Sequence, residues 1–108
     1  MFTFTDHHEF VWPVRVLAPE NGAQKEIGGF DARFLLLPVD RVAELSCAGD
    51  EALLTGIVTG WDGIRAEEGQ ELPFSPENLK LLGNNPCVRA AIFRGYFEAA
   101  SGKAREKN

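Results

Sequence analysis

Cysteine and histidine are scarce in this sequence, with two of each among 108 residues. Cys47 and Cys87 form no Cys-x-x-Cys pair, and the two histidines, His7 and His8, are neighbours. A zinc site needs about four ligands at short spacings, and adjacent residues of a strand point to opposite sides of it. We therefore expect no metal site, two reduced cysteines that act as small packing residues, and two solvated histidines.

Long apolar runs and an excess of basic residues are also missing. The longest apolar run, residues 34–39, is far shorter than the roughly 20 residues that span a bilayer. Asp6 and Glu9 stand where a signal peptide carries a basic segment. The formal charge of −5, from 16 acidic and 11 basic residues, does not favour nucleic acid as a partner. These absences predict a cytoplasmic protein that binds neither a membrane nor a nucleic acid.

Motifs that carry catalysis or bind cofactors are absent too. Asp62-Gly63 and Glu67-Glu68-Gly69 lack the alternating ligands of a calcium loop, and no Gly-Lys-Ser/Thr segment follows a strand. Nothing local supports a cysteine–histidine catalytic pair. We expect no catalytic residue and no cofactor. A small enzyme or ligand-binding domain stays open as an alternative, which requires a concave pocket with convergent polar groups.

The first third of the chain is strand-like. Residues 10–17 are rich in β-branched and aromatic types. Pro13 lacks an N–H group, so it predicts either an edge strand or a position that points away from the neighbouring strand. Asn21-Gly22 predicts a tight hairpin turn, with the returning strand over residues 24–36. The apolar faces of the two strands match only if one extra residue is inserted, so we predict a β-bulge at Gly28-Gly29. The expected pairs are then Val14 with Phe30, Trp12 with Ala32 and Phe10 with Phe34.

The remaining residues predict four short helices. Their start and stop signals give approximate bounds of 39–47, 50–60, 75–83 and 85–101, with Asp50, Ser75 and Asn85 as candidate caps. The first helix is expected to bury Val39, Val42 and Leu45, and the second Leu53, Leu54, Ile57 and Val58. The predicted fold class is α+β: one domain, residues 1–108, with an N-terminal two-stranded antiparallel β-hairpin, a bundle of about four helices, and a charged tail over residues 102–108 that frays.

The last helix carries more apolar surface than a single core contact needs. One stripe, formed by Val88, Ala91, Ile92, Tyr96 and Ala99, suits the core, whereas Phe93 and Phe97 lie about 120–180° around the helix from Val88. Two interpretations are open: these rings pack under the hairpin, or they line a groove for a partner protein. From Pro86 onward, five basic residues against two acidic ones give a net charge of +3, so the rest carries −8. That asymmetry either steers association or belongs to a solvated tail.

Taken together, the segments of this chain resemble a known family. The opening FVWPVRVLAPENG, the return GGFDARFLLLP and the segment from Gly56 onward are similar, in order and spacing, to tail assembly chaperones of long-tailed bacteriophages and prophages. The most specific matches are Trp61-Asp62-Gly63-Ile64, Gly69, Leu72-Pro73-Phe74-Ser75, Tyr96-Phe97-Glu98-Ala99 and the terminal Lys-Asn.

The resemblance implies a hairpin with a helical bundle and a role in tail assembly. Members of the family bind the tape-measure protein in the host cytoplasm and keep it soluble while tail-tube subunits polymerise around it. It also implies self-association, contact with the tail-tube protein and, in many members, a frameshifted extended form. On this basis we expect partner binding through Phe93, Phe97, Tyr96 and Trp61. The alternative within phage biology is a minor structural protein of the tail or the head–tail connector.

Overall fold

A computed structural model describes residues 1–5 and 8–102 of the chain. It has the predicted α+β architecture, in which an antiparallel sheet packs against helices, but the sheet contains three strands rather than two. The third strand follows the second helix in the sequence. The elements in chain order are β1 (His8–Glu20), β2 (Ala23–Leu36), α1 (Val39–Ala48), α2 (Asp50–Ile57), β3 (Val58–Asp62), α3 (Pro76–Gly83) and α4 (Pro86–Ser101).

The hairpin turns at Asn21 and Gly22, as predicted. Both residues have positive φ, 51° and 84°, as a two-residue type I′ turn requires. The sheet order β1-β2-β3 places β1 at an edge, so Pro13 lies in an edge strand as expected. The structure confirms the three predicted pairs, Val14 with Phe30, Trp12 with Ala32 and Phe10 with Phe34.

The bulge exists, but the prediction of its position is wrong by one residue. The register shifts between Val16 and Leu17, and Ile27 is the extra residue on the opposite strand. Gly28 and Gly29 stay in the ladder. Ile27 suits the bulge because its side chain is 63% exposed and loses no core contact there. Gly29 meets another need, since a Cβ atom on it would lie 2.9 Å from the backbone oxygen of Val14.

Strand β3 corrects the predicted second helix. We expected that helix to continue to about Gly60, but it ends at Ile57, and Val58–Asp62 pairs with the free edge of β2. The segment is rich in residues that favour strands. Val58 and Trp61 point into the core, with 3% and 7% of their surfaces exposed. Val58 is therefore buried as expected, but in a strand.

Helix boundaries follow the predicted caps in two of three cases. The Ser75 hydroxyl accepts a hydrogen bond from the Asn78 N–H, and the Asn85 side chain accepts from the Cys87 and Val88 N–H groups. At α2 the N-cap is Gly49, so Asp50 is the first helical residue and the prediction of Asp50 as the cap is wrong. Its carboxylate still lies in the first turn, where the helix dipole favours it.

Helix α1 contributes less to the core than predicted. Val42 and Leu45 are partly buried and pack against the core, whereas Val39 is 87% exposed. The prediction that Val39 is buried is wrong, because it occupies the first helical position directly after Pro38, at the open end of the helix. Cys47 is exposed as well, and not a packing residue. Cys87 is partly buried, and neither cysteine forms a disulfide.

The core lies between the inner face of the sheet and helices α2, α3 and α4. His8 is exposed as expected, whereas His7 and the tail beyond residue 102, on which the charge asymmetry depends, lie outside the described residues. The buried apolar residues are Val14, Val16, Ala32, Phe34, Leu53, Leu54, Ile57, Val58, Trp61, Leu79, Ala91, Ile92 and Tyr96.

Candidate protein-binding surface

Helix α4 is held against the sheet by a close approach and by a tyrosine. A Cβ atom on Gly95 would lie 3.4 Å from Val14 Cγ2 and 3.5 Å from Trp12 Cδ1, which are ordinary van der Waals distances, so α4 packs closely on β1 at this position. At the next residue of the helix, the Tyr96 hydroxyl accepts a hydrogen bond from the Leu37 N–H at 3.1 Å and donates one to the Leu35 carbonyl at 3.2 Å. These contacts fix the C-terminal half of α4 beside the end of β2.

An apolar groove lies between this half of α4 and helix α1, and we call it the α1/α4 groove. Its volume is about 640 Å³. Phe97 is 44% exposed and Val39 87% exposed at its surface, so both side chains can be reached by a partner. The charged residues that line it are Arg94 and Glu98, one of each sign. Its apolar lining consists of Leu36, Leu37, Val39, Val42, Tyr96 and Phe97, with Ala100 beside them.

A second groove, between α2 and α3, has a different chemistry. It has a volume of about 690 Å³ and an apolar floor that includes Leu54 and Leu79. Charged side chains surround this floor, and Lys80 Nζ lies 3.9 Å from Glu51 Oε2 across it. Leu81, 64% exposed, lines the same groove. The α2/α3 groove thus has an apolar floor with charged side chains at its rim, and Leu81 provides a matched comparison for the apolar residues of the α1/α4 groove.

The structure separates the four residues that the sequence predicted for partner binding. Phe97 lines the α1/α4 groove and is accessible. Tyr96 stacks edge-on against Phe97 with ring centroids 5.3 Å apart, but only 1% of its surface is exposed. Phe93 is partly buried against the core and lines a smaller pocket near the start of α4. Phe93 is thus partly packed against the core and Phe97 is open at a groove, and partner binding by either ring stays a prediction.

Trp61 lies in the core beside the loop of residues 63–75. Its indole Nε1–H donates a hydrogen bond to the Leu72 carbonyl at 2.8 Å, and its ring meets Phe74 edge-on at 5.0 Å. Gly63 and Gly69 adopt positive φ in the same loop. Trp61, the loop glycines and residues 72–75 carry part of the family resemblance. In the structure they position this loop and cap α3, so they have structural roles. The structure gives Trp61 no accessible surface that would favour partner contact.

Val39 is the groove residue that the sequence analysis missed, because its apolar character suggested burial. The position of Val39 could have indicated its exposure. It directly follows Pro38 as the first residue of α1, so no preceding helical turn lies beside its side chain. Leu36 and Leu37 fit the end of the predicted strand, and that pattern does not indicate that α1 and α4 leave them half-buried.

Two further properties concern sites of other kinds. Among residues 1–5 and 8–102, no three His, Cys, Asp or Glu side chains are grouped so that they could share a metal ion. Over the same described part of the chain, no helix has both the length and the apolar character needed to cross a membrane.

Comparison with known proteins gives one finding. No curated protein and no solved structure matches the chain. A family model described as YdaY prophage protein matches residues 18–108, which is well over half of the chain and includes the end of β1, β2, β3 and all four helices. The match agrees with the phage or prophage origin that the resemblance implied, and its description names no role in tail assembly. The chain belongs to the YdaY prophage protein family.

Proposed function

We propose that this prophage protein is a non-catalytic tail assembly chaperone. In this role it binds apolar segments of the tape-measure protein in the host cytoplasm and keeps them soluble while the tail tube forms. The α1/α4 groove is the observation that carries the proposal, since it offers accessible apolar side chains at a fixed place on the fold. The order and spacing of the resembling segments, together with the prophage family, support it further.

The groove suits one face of an amphipathic helix. Such a helix presents apolar side chains at positions i, i+3, i+4 and i+7, and a groove of about 640 Å³ can take a few of them. Complete burial of an exposed Val or Phe side chain contributes about 1.5–3 kcal/mol. Scaled by their exposed fractions of 87% and 44%, Val39 and Phe97 together supply about 2–4 kcal/mol of the roughly 8 kcal/mol that a micromolar complex requires, and the other groove residues supply the rest. A complex of this strength is weak enough for tube subunits to displace the chaperone.

The test is co-expression with a tape-measure fragment that is insoluble when made alone. The wild-type protein should move the fragment into the soluble fraction. Val39→Ser and Phe97→Ser together should abolish this rescue, because they place hydroxyl groups on the apolar surface. Val39 is 87% exposed and Phe97 44% exposed, so the variant should keep the fold, which circular dichroism and a urea unfolding curve would check.

Leu81→Ser is the matched control. It also replaces an exposed apolar residue, 64% exposed, but in the α2/α3 groove, and rescue should persist. Rescue that survives the Val39/Phe97 variant, or fails equally with Leu81→Ser, would overturn the assignment of the α1/α4 groove.

A second measurement separates the chaperone from a minor structural protein of the tail or connector. A chaperone is displaced before the particle is complete, so the protein should be present in lysates of induced cells and missing from purified particles. Recovery at a fixed copy number in those particles would contradict the proposal and favour the structural role.

A further inference from the structure

Two phenylalanines lie in the short segment that precedes β1, and both are exposed. We call residues 1–5, Met-Phe-Thr-Phe-Thr, the arm. Phe2 is 83% exposed and Phe4 is 77% exposed, so neither ring is packed against the chain in the structure. Two exposed aromatic rings two residues apart are candidates for contact with another apolar surface.

The alternation of β1 assigns these two rings to the inner side of the sheet. Side chains alternate between faces along a strand, and in β1 the even-numbered residues face the helices: Val14 and Val16 are buried, and Phe10 and Trp12 pack against the core. The odd-numbered Val11 and Arg15 are exposed. Phe2 and Phe4 have the same even parity, so an arm that continued β1 as an extended strand would present both rings on the side where α4 lies.

The α1/α4 groove opens at the same end of the sheet. His8, the first residue of β1, pairs with Leu36 of β2, and Leu36 and Leu37 line the groove. The extended backbone advances about 3.3 Å per residue, so Phe4 can reach about 13 Å beyond His8 and Phe2 about 20 Å. The arm therefore has the position and the length to lie along this groove.

We propose that the arm docks into the α1/α4 groove of its own chain, with Phe2 and Phe4 against Phe97, Val39 and Val42. Phe2 and Phe4 on the arm and Val39 and Phe97 at the groove are all exposed, so the rings and the groove residues are accessible to one another. A segment tethered so closely has an effective concentration in the millimolar range or above, so contact within one chain is favoured over contact between copies. This proposal does not depend on the proposed function, because it concerns the isolated protein.

The test follows the methyl resonances of Val39 and Val42 in the full-length chain. Phe2→Ser together with Phe4→Ser should shift these signals, since the rings that dock beside them are removed. Ile27→Ser is the control: it replaces another exposed apolar side chain, 63% exposed, at the bulge of the hairpin, and should leave both signals in place. The urea midpoint of Ile27→Ser should be close to that of the wild type because Ile27 is exposed, whereas the loss of two docked rings should lower that of the Phe2/Phe4 variant slightly.

A synthetic peptide of residues 1–5 provides the second measurement. Added to a chain that lacks these residues, it should move the same methyl signals saturably, and the peptide with both Phe replaced by Ser should not. Unchanged Val39 and Val42 signals in the Phe2/Phe4 variant would overturn the proposal. So would wild-type signals that change on tenfold dilution, which would show that the arm docks on another copy.

Discussion

At the scale of single residues, close backbone approaches decide which glycines can be replaced. Gly28 and Gly29 are neighbours in β2, and neither has a positive φ. A Cβ atom on Gly28 would meet nothing within 4 Å, whereas one on Gly29 would lie 2.9 Å from the Val14 backbone oxygen. A backbone atom in a paired strand cannot move aside as the end of a flexible side chain can. Gly28 and Gly29 therefore differ in whether they tolerate a side chain, although both are glycine.

We predict that Gly29→Ala lowers the free energy of unfolding by about 1–3 kcal/mol, the usual cost of overpacking. Gly28→Ala should be neutral or stabilising by up to about 1 kcal/mol, because alanine reduces the conformational freedom of the unfolded chain. Urea unfolding curves of the two variants would measure this difference. Equal urea midpoints for the two variants would show that β1 and β2 separate easily at Gly29, which would contradict the close approach of Gly29 to the Val14 backbone oxygen.

Tyr96 shows how one residue can be misread when only the helical face is considered. The sequence placed it both in the core stripe of α4 and among the expected partner-binding residues. In the structure its ring is buried, and its hydroxyl bonds the backbone of Leu35 and Leu37. A buried hydroxyl needs such partners. Phe97, the next residue on the helix, is the one that remains accessible.

At the scale of elements, the N-terminal cap of α4 stabilises the start of this helix, which packs against the sheet. The Asn85 side chain oxygen accepts hydrogen bonds from the Cys87 N–H at 2.9 Å and the Val88 N–H at 3.2 Å. Helix N-termini leave such donors without partners unless a side chain supplies an acceptor.

We predict that Asn85→Ala lowers the free energy of unfolding by about 0.5–2 kcal/mol through loss of this cap. Asn84→Ala is the matched control, because the same residue type stands one position earlier, at the end of α3, and its replacement should change stability by no more than about 0.5 kcal/mol. Thermal and urea unfolding would measure both. A loss at position 84 as large as that at position 85 would contradict the assignment of Asn85 as the cap.

Local signals predicted most elements of the fold, and non-local pairing explains the element they missed. The Asn21-Gly22 turn and the caps at Ser75 and Asn85 depend on neighbouring residues, so the sequence was sufficient there. Strand β3 depends on the free edge of β2 and on the bond from Trp61 to the Leu72 carbonyl, and helical periodicity could not show either. The α1/α4 groove is also non-local, since three separate elements form it.

At the scale of the whole molecule, the arm and a client segment compete for one surface if both proposals hold. The apparent dissociation constant of a ligand equals its intrinsic value divided by the fraction of protein that is competent to bind. An arm that occupies the groove nine-tenths of the time would therefore weaken client binding about tenfold. This competition would keep the groove covered until the client is abundant.

We accordingly predict that Phe2→Ser with Phe4→Ser tightens binding of a soluble, helical tape-measure peptide several-fold, measured by fluorescence anisotropy of the labelled peptide. Ile27→Ser should leave the affinity unchanged. Weaker binding by the Phe2/Phe4 variant would contradict competition, because it would mean that the two rings contact the client directly and extend the groove. The same titration with Val39→Ser and Phe97→Ser should lose binding in either case, so the role of the arm and the role of the groove are measured independently.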